Sequence, residues 1–203
     1  MYTPKSFAED NIEVLHDLIR NYNFAILFSG RTATHLPFML DTERGDYGTL
    51  ITHMARANSH WKQLAADEEV LIVFQGAHCY ISPQYYPSGS VIPTWNYAAV
   101  HAYGEPKLIH EPEPLQKLVL ALVEFHEGKL FDDMSDAFTN NRLQAIVGIE
   151  IPISRIEGKF KFNQNKSLED QKGVIAALEN SQDSQERAVA EIMKRNLAEK
   201  IAT

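Results

Sequence analysis

A single cysteine, Cys79, in 203 residues rules out an internal disulfide and any cysteine-based zinc site. It also fits a reducing compartment. Positive charge is scarce: 19 Lys and Arg stand against 27 Asp and Glu, a formal charge of −8. That is the wrong sign for a protein that grips phosphodiester backbones over its whole surface. The densest basic stretch, GKFKFNQNK from Gly158 to Lys166, reads first as a solvated strand edge carrying Lys159, Lys161 and Lys166. No apolar run reaches bilayer length, LVLALVEF from Leu118 being the longest strongly apolar one. The polar start MYTPKSFAED lacks the basic and apolar segments of a signal peptide, so a cytoplasmic location is expected. Repeats and low-complexity segments are absent, as are the Gly-x-Gly-x-x-Gly dinucleotide fingerprint and the phosphate-loop pattern. His35, His53, His60, His78 and His101 form no pair at ligand spacing and have no carboxylate beside them in a metal-binding pattern, so no metal site is expected. No Ser/His/Asp arrangement can be assigned, and no catalytic residue is identified.

What is present suits one substantial domain with an appendage, at an ordinary 44% hydrophobic content. Ser6 and Glu9 form a capping box ahead of Ile12, Leu15, Ile19 and Tyr22, which predicts a helix over residues 7–22. Strands are predicted at 24–29, 33–40, 49–52, 70–82 and 91–104, with a short helix in HWKQLAADEE. Pro112 and Pro114 open a helix running to about Glu127, and a shorter one is predicted between Asp132 and Ala145. Two further strands follow over 146–162, then two charged amphipathic helices from Ser167 to Thr203. Six or seven strands in short succession, with helices inserted rather than regularly alternating, predict a mainly β, α+β fold. The predicted architecture is an antiparallel barrel occupying residues 1–166, with N-terminal and inserted helices, and a helical appendage over 167–203.

The strand VIPTWNYAAVHAYG sets an aromatic row of Trp95, Tyr97, His101 and Tyr103 against a small row of Asn96, Ala98, Val100 and Ala102. Neither row is charged, so the aromatic face suits a core, a partner or a ligand. The junction TLITHMARANSHWKQL ends a strand near Thr52, turns through His53, Arg56 and Asn58, and starts a helix. Amides near Ser59 to Trp61 together with Arg56 would suit an anion. Arg56 bonding nearby carbonyls, with Asn58 as an ordinary helix cap, is the plainer reading of the same spacing.

HLPF (35–38), THMARAN (52–58), FQGAHCYISPQYY (74–86), PTWNYAAVHAYG (93–104), GIEIPI (148–153) and IEGKFKFNQNK (156–166) resemble, in consistent order, the PaiB family of FMN-binding negative transcriptional regulators. That family is similar to the split barrels of the pyridoxamine phosphate oxidase type, homodimers with two flavins at the subunit interface. The resemblance implies FMN as cofactor and places the ring strand on His35, Leu36, Pro37 and Phe38. It sets Thr52 beside the ribityl chain and Arg56 with Asn58 at the phosphate, with His53 in the same junction and Gln75 near the flavin. Lys161 to Asn165, including Gln164, would approach from the partner chain, and Trp95 would meet the partner and the rim of the flavin pocket.

The oxidases carry an Arg-Lys pair at the phosphate, whereas Ala57 follows Arg56 here, so the second charge falls to Lys62, a more distant lysine or helix amides. DNA is the partner that the family name implies, yet no helix-turn-helix pattern or basic recognition helix is present: Lys194, Arg195 and Lys200 are mixed with Glu186, Glu191 and Glu199. The expected function is therefore an FMN-binding homodimeric regulator of the PaiB type, with no membrane partner. The alternative is a flavin-dependent oxidoreductase, although the missing dinucleotide motif argues against an efficient one.

Overall fold

Side chains alternate between buried and exposed along most of the strands, as the period-two sequence pattern requires. The computed structural model describes residues 1–66, 69–89, 92–129 and 140–202. Its strands are β1 (Ala8–Glu9), β2 (Phe24–Ser29), β3 (Thr32–Pro37), β4 (Met39–Asp41), β5 (Thr49–Ala55), β6 (Val70–Ile81), β7 (Thr94–Gly104), β8 (Lys107–Ile109) and β9 (Ile146–Lys161). They are ordered β3-β2-β6-β7-β9-β5-β4, with β1 and β8 also paired to β9. The helices are α1 (Ile12–Asn21), α2 (His60–Leu64), α3 (Pro112–Glu127), α4 (Asn140–Leu143), α5 (Leu168–Leu178) and α6 (Ser184–Ala202). This is the antiparallel, mainly β fold with inserted and C-terminal helices that the sequence predicts. Among the described residues no helix is long and apolar enough to cross a membrane.

The chain divides into two compact units. The first comprises Met1–Asn11, Gln75–Val100 and Glu157–Thr203, and the second Ile12–Phe74 and His101–Ile156. In the second unit α3 lays Leu115, Leu118, Val119 and Leu122 against Ile51 of β5 and Leu143 of α4, edged by Met39, Ile109 and Ile146. Each such fully buried side chain contributes roughly 1.5–3 kcal/mol. In the first unit the Ser167 hydroxyl caps α5 by accepting from the Asp170 N–H at 3.1 Å, and α6 buries Val189, Ala190, Met193 and Leu197. The Asn96 amide of β7 donates to the Met193 thioether at 3.4 Å.

Several predicted boundaries are corrected. The helix expected over 7–22 starts only at Ile12, because Ala8 and Glu9 pair with Lys159 and Gly158 and the Glu9 carboxylate accepts from the Asn11 N–H at 2.9 Å. The strand expected over 33–40 breaks at Phe38, whose side chain is buried and whose N–H donates to the Asn23 carbonyl at 2.8 Å. The two strands expected over 146–162 are one continuous β9, since Arg155 to Glu157 contain no turn-forming residue. The HWKQLAADEE helix shortens to His60–Leu64, and the strand expected from Val91 begins at Thr94. Of the helix expected within 132–145, Asn140–Leu143 is observed and residues 132–139 lie outside the described residues.

Candidate functional site

The second unit builds its part of the site on a hairpin. β2 and β3 join through Gly30 and Arg31, with Ser29 paired to Thr32 and Gly30 at φ 55°. A two-residue hairpin turn makes Ser29 and Thr32 a hydrogen-bonded pair, and bonded pairs then recur at every second residue. Thr34 and Leu36 therefore bond β2, while the N–H and C=O groups of Ala33 and His35 point away from it, toward the side on which the strand order ends. Pro37 follows the same alternation, and its outward carbonyl accepts from the Thr52 hydroxyl at 2.6 Å. The exposed His35 ring stacks on Phe24 at 6.2 Å between centroids, while Leu36 and Phe38 are buried. The backbone edge at His35, rather than its neighbours' side chains, is the part able to meet a planar heterocycle.

Thr52 is fully buried on β5, opposite Ile149 of β9. His53 is partly buried and its Nδ1 has no hydrogen-bond partner among the described residues. Burial lowers its pKa, so the imidazole stays neutral at pH 7. Arg56 follows in the turn after β5. Its Nε donates to the Gln144 carbonyl at 2.7 Å, one Nη to the Ile146 carbonyl at 2.8 Å and the other to His110 Nδ1 at 3.3 Å. Its backbone N–H also donates to Ala145 at 2.8 Å. The guanidinium has five N–H groups, so two remain after these three bonds among the described residues. Arg56 thus clamps the turn onto the start of β9 and keeps donors for a second task.

The predicted anion cradle of helix amides is reduced. α2 has only five residues, so its dipole is small, and the His60 N–H is already taken by Asn58 Oδ1 at 3.0 Å. Asn58 therefore caps the helix locally. Lys62 is exposed, and its Nζ lies 5.6 Å from the centre of the Trp61 ring, which the Arg56 guanidinium also approaches at 5.9 Å. The Trp61 Nε1–H donates to the Arg56 carbonyl at 2.9 Å, fixing the indole beneath both cations.

In the first unit Trp95 is 54% exposed and carries a cluster, with His78 stacked at 6.5 Å and Tyr80 edge-on at 6.2 Å. The Lys161 ammonium donates to the Trp95 carbonyl at 2.8 Å and to the Thr94 hydroxyl, so these two predicted site residues are joined. Burial first, and then the charges of Lys159 and Lys166, lower the Lys161 pKa. Gln164 is turned inward: its Oε1 accepts from the Phe162 N–H at 2.7 Å and its amide donates to the Phe160 carbonyl. It closes the turn after β9, where Asn163 sits at φ 61° and donates to the Tyr86 hydroxyl at 3.0 Å. Gln75 and Asn165 are exposed.

Thr34 and His110 lie outside the motifs read from the sequence; Trp61 enters that reading only through its backbone amide, and His60 only through its amide and as a candidate metal ligand. Thr34 and His110 act through partners distant in sequence, whereas Trp61 bonds the Arg56 carbonyl five residues before it, beside the THMARAN motif.

The polar groups fit FMN in kind at the ring and the phosphate: a strand edge for the ring, and guanidinium N–H groups beside an exposed lysine for the phosphate; the buried Thr52 hydroxyl has given its proton to the Pro37 carbonyl and keeps only acceptor capacity toward a ribityl hydroxyl. The family described as "Putative FMN-binding domain" matches residues 1–155. "Protease synthase and sporulation protein PAI 2" of Bacillus subtilis is 32% identical over 209 residues, covering 99% of this chain and 100% of that one. An uncharacterized protein, AN0679, of Emericella nidulans is 30% identical over 96% of each chain. Among solved structures, the FAD and heme binding protein from Mycobacterium smegmatis aligns with a TM-score of 0.59 at 15% identity, covering 76% of this chain and 73% of that chain. The flavocytochrome Anf3 from Azotobacter vinelandii aligns at 0.58 and 13%, covering 76% and 69%. These likenesses identify the fold as an antiparallel split barrel. With the profile matching most of the chain and the Bacillus relative matching nearly all of it, the chain belongs to the PaiB-type family of FMN-binding proteins.

Proposed function

We propose that the protein is a cytoplasmic regulator of the PaiB type, a homodimer that holds one FMN per chain. The observation that carries this reading is the shared placement, within the second unit, of the outward backbone edge at His35, the Thr52 hydroxyl and the clamped turn bearing Arg56. In this arrangement the His35 edge orients the isoalloxazine ring and Thr52 lies near the ribityl chain. The two uncommitted Arg56 N–H groups meet the phosphate, with Lys62 supplying the second positive charge. Bound FMN supplies a coloured, two-electron redox centre. The exposed Trp95 and Tyr80 rings support a second copy of the chain as partner, since solvent is a poor neighbour for so much aromatic surface in one place. The mixed charges of α6 favour weak, salt-dependent contact with DNA over a dedicated recognition helix.

Titration with FMN, followed by flavin fluorescence and sedimentation velocity, tests the reading. About one FMN per chain on a dimer is expected, and Trp95→Ala should weaken the dimer. A monomer at micromolar concentration overturns the homodimer, and a protein that leaves FMN fluorescence unchanged overturns the site. Fast, saturable reduction of the bound flavin by NADH would replace the regulator with an oxidoreductase.

A further inference from the structure

A closed hydrogen-bonded network ties β3 to the turn that bears Arg56. The Asn58 amide donates to the Thr34 hydroxyl at 3.3 Å, that hydroxyl lies 2.7 Å from His60 Nδ1, and the His60 N–H returns to Asn58 Oδ1 at 3.0 Å. His60 is buried and Thr34 half-buried. The Thr34 hydroxyl accepts from the Asn58 amide and shares its second hydrogen bond with His60 Nδ1, so the three bonds close a ring between the strand and the turn. The ring ties the two at one spacing. Its strand end is Thr34, immediately before His35, whose backbone faces the open edge. Its turn end is Asn58, two residues after Arg56.

We propose that Thr34 and His60 are positioning residues: they set the spacing between the strand that meets the flavin ring and the turn that meets the phosphate, and so determine selectivity for FMN over riboflavin. This rests on the FMN reading above. FMN has to satisfy the strand and the turn at once. Riboflavin, which lacks the phosphate, needs only the strand and the ribityl hydroxyl partner. A turn released from β3 therefore weakens FMN and leaves riboflavin nearly unchanged.

Full-length wild type, Thr34→Val and Thr34→Ser are each titrated with FMN and with riboflavin, with circular dichroism and melting curves as the check on folding. Thr34→Val should weaken FMN about three- to tenfold, the range of one neutral hydrogen bond. Riboflavin should shift by less than about twofold, and Thr34→Ser, which restores the hydroxyl, should restore FMN. If Thr34→Val does not fold, Thr34→Ala removes the same hydroxyl without adding a methyl and carries the same expectation. A wild type that prefers FMN, with a Val variant showing the same FMN-to-riboflavin ratio, overturns this inference alone. So does a Ser variant that behaves like Val. A wild type that binds neither flavin, or both equally, overturns the phosphate assignment along with it.

Discussion

Replacing Arg56 with alanine separates the two tasks assigned to that side chain, because each has its own readout. The structural task consists of charge-assisted bonds to the Gln144 and Ile146 carbonyls and a third to His110. Hydrogen bonds to charged groups contribute about 1.5–3 kcal/mol each when dry. The site is half-exposed, so water replaces much of that, and a loss of about 1–2 kcal/mol of folding stability is expected. The binding task uses the remaining N–H groups, and one net bond of this kind to a phosphate corresponds to about a ten- to two-hundred-fold loss of FMN affinity. Riboflavin affinity should hardly move. Titration of both flavins at a temperature where the variant is fully folded, alongside urea denaturation, gives the two numbers independently. If Arg56→Ala loses stability and weakens both flavins equally, the guanidinium is a clamp only, and the phosphate assignment is refuted. Arg56→Lys keeps the charge but cannot reach two carbonyls and a phosphate with one ammonium, so it should fall between wild type and alanine on both measures.

Two further perturbations test the scaffold. Arg44 donates to both Glu150 oxygens, at 2.9 and 2.6 Å, and this bond, then the charges of Arg44 and Lys107, hold the Glu150 carboxyl below its ordinary value. A depressed carboxylate stabilises the fold above its unfolded pKa, about 4.3, and the contribution is lost as pH falls through the lower folded value. With side chains 46% and 22% exposed, Arg44→Gln should cost about 0.5–1 kcal/mol at pH 7 and nothing once Glu150 is protonated; equal costs at both pH values in denaturant titrations would contradict the pairing. Gly104→Ala would put a Cβ 2.2 Å from the Pro152 carbonyl oxygen and 2.8 Å from Ile151 Cγ2, contacts that only backbone movement relieves. It should cost at least about 2–3 kcal/mol in urea denaturation, and a variant within about 0.5 kcal/mol of wild type would refute the close approach.

Local alternation in the sequence already set which face of β7 is inward, and the motifs stand in the order that the sequence shows. Along β7, Asn96, Ala98, Val100 and Ala102 are buried while Trp95 is exposed and Tyr97, His101 and Tyr103 are partly so, as their alternation requires. The start of α3 at Pro112 and the two helices of the tail were legible for the same reason: proline placement and apolar spacing are local, and they act on backbone conformation directly. Tertiary structure alone decided partners distant in sequence. Ala8 and Glu9 leave the predicted helix because their partners are Lys159 and Gly158, about 150 residues away. Arg56 meets the carbonyls of Gln144 and Ile146 because β5 pairs with β9 in the register that sets Ala55 opposite Ile146. Thr34 meets His60 because the β2–β3 hairpin and α2 are brought together in one unit. Local pattern fixes a residue's conformation and facing, whereas its hydrogen-bond partners follow from strand register and packing, which depend on the whole chain at once.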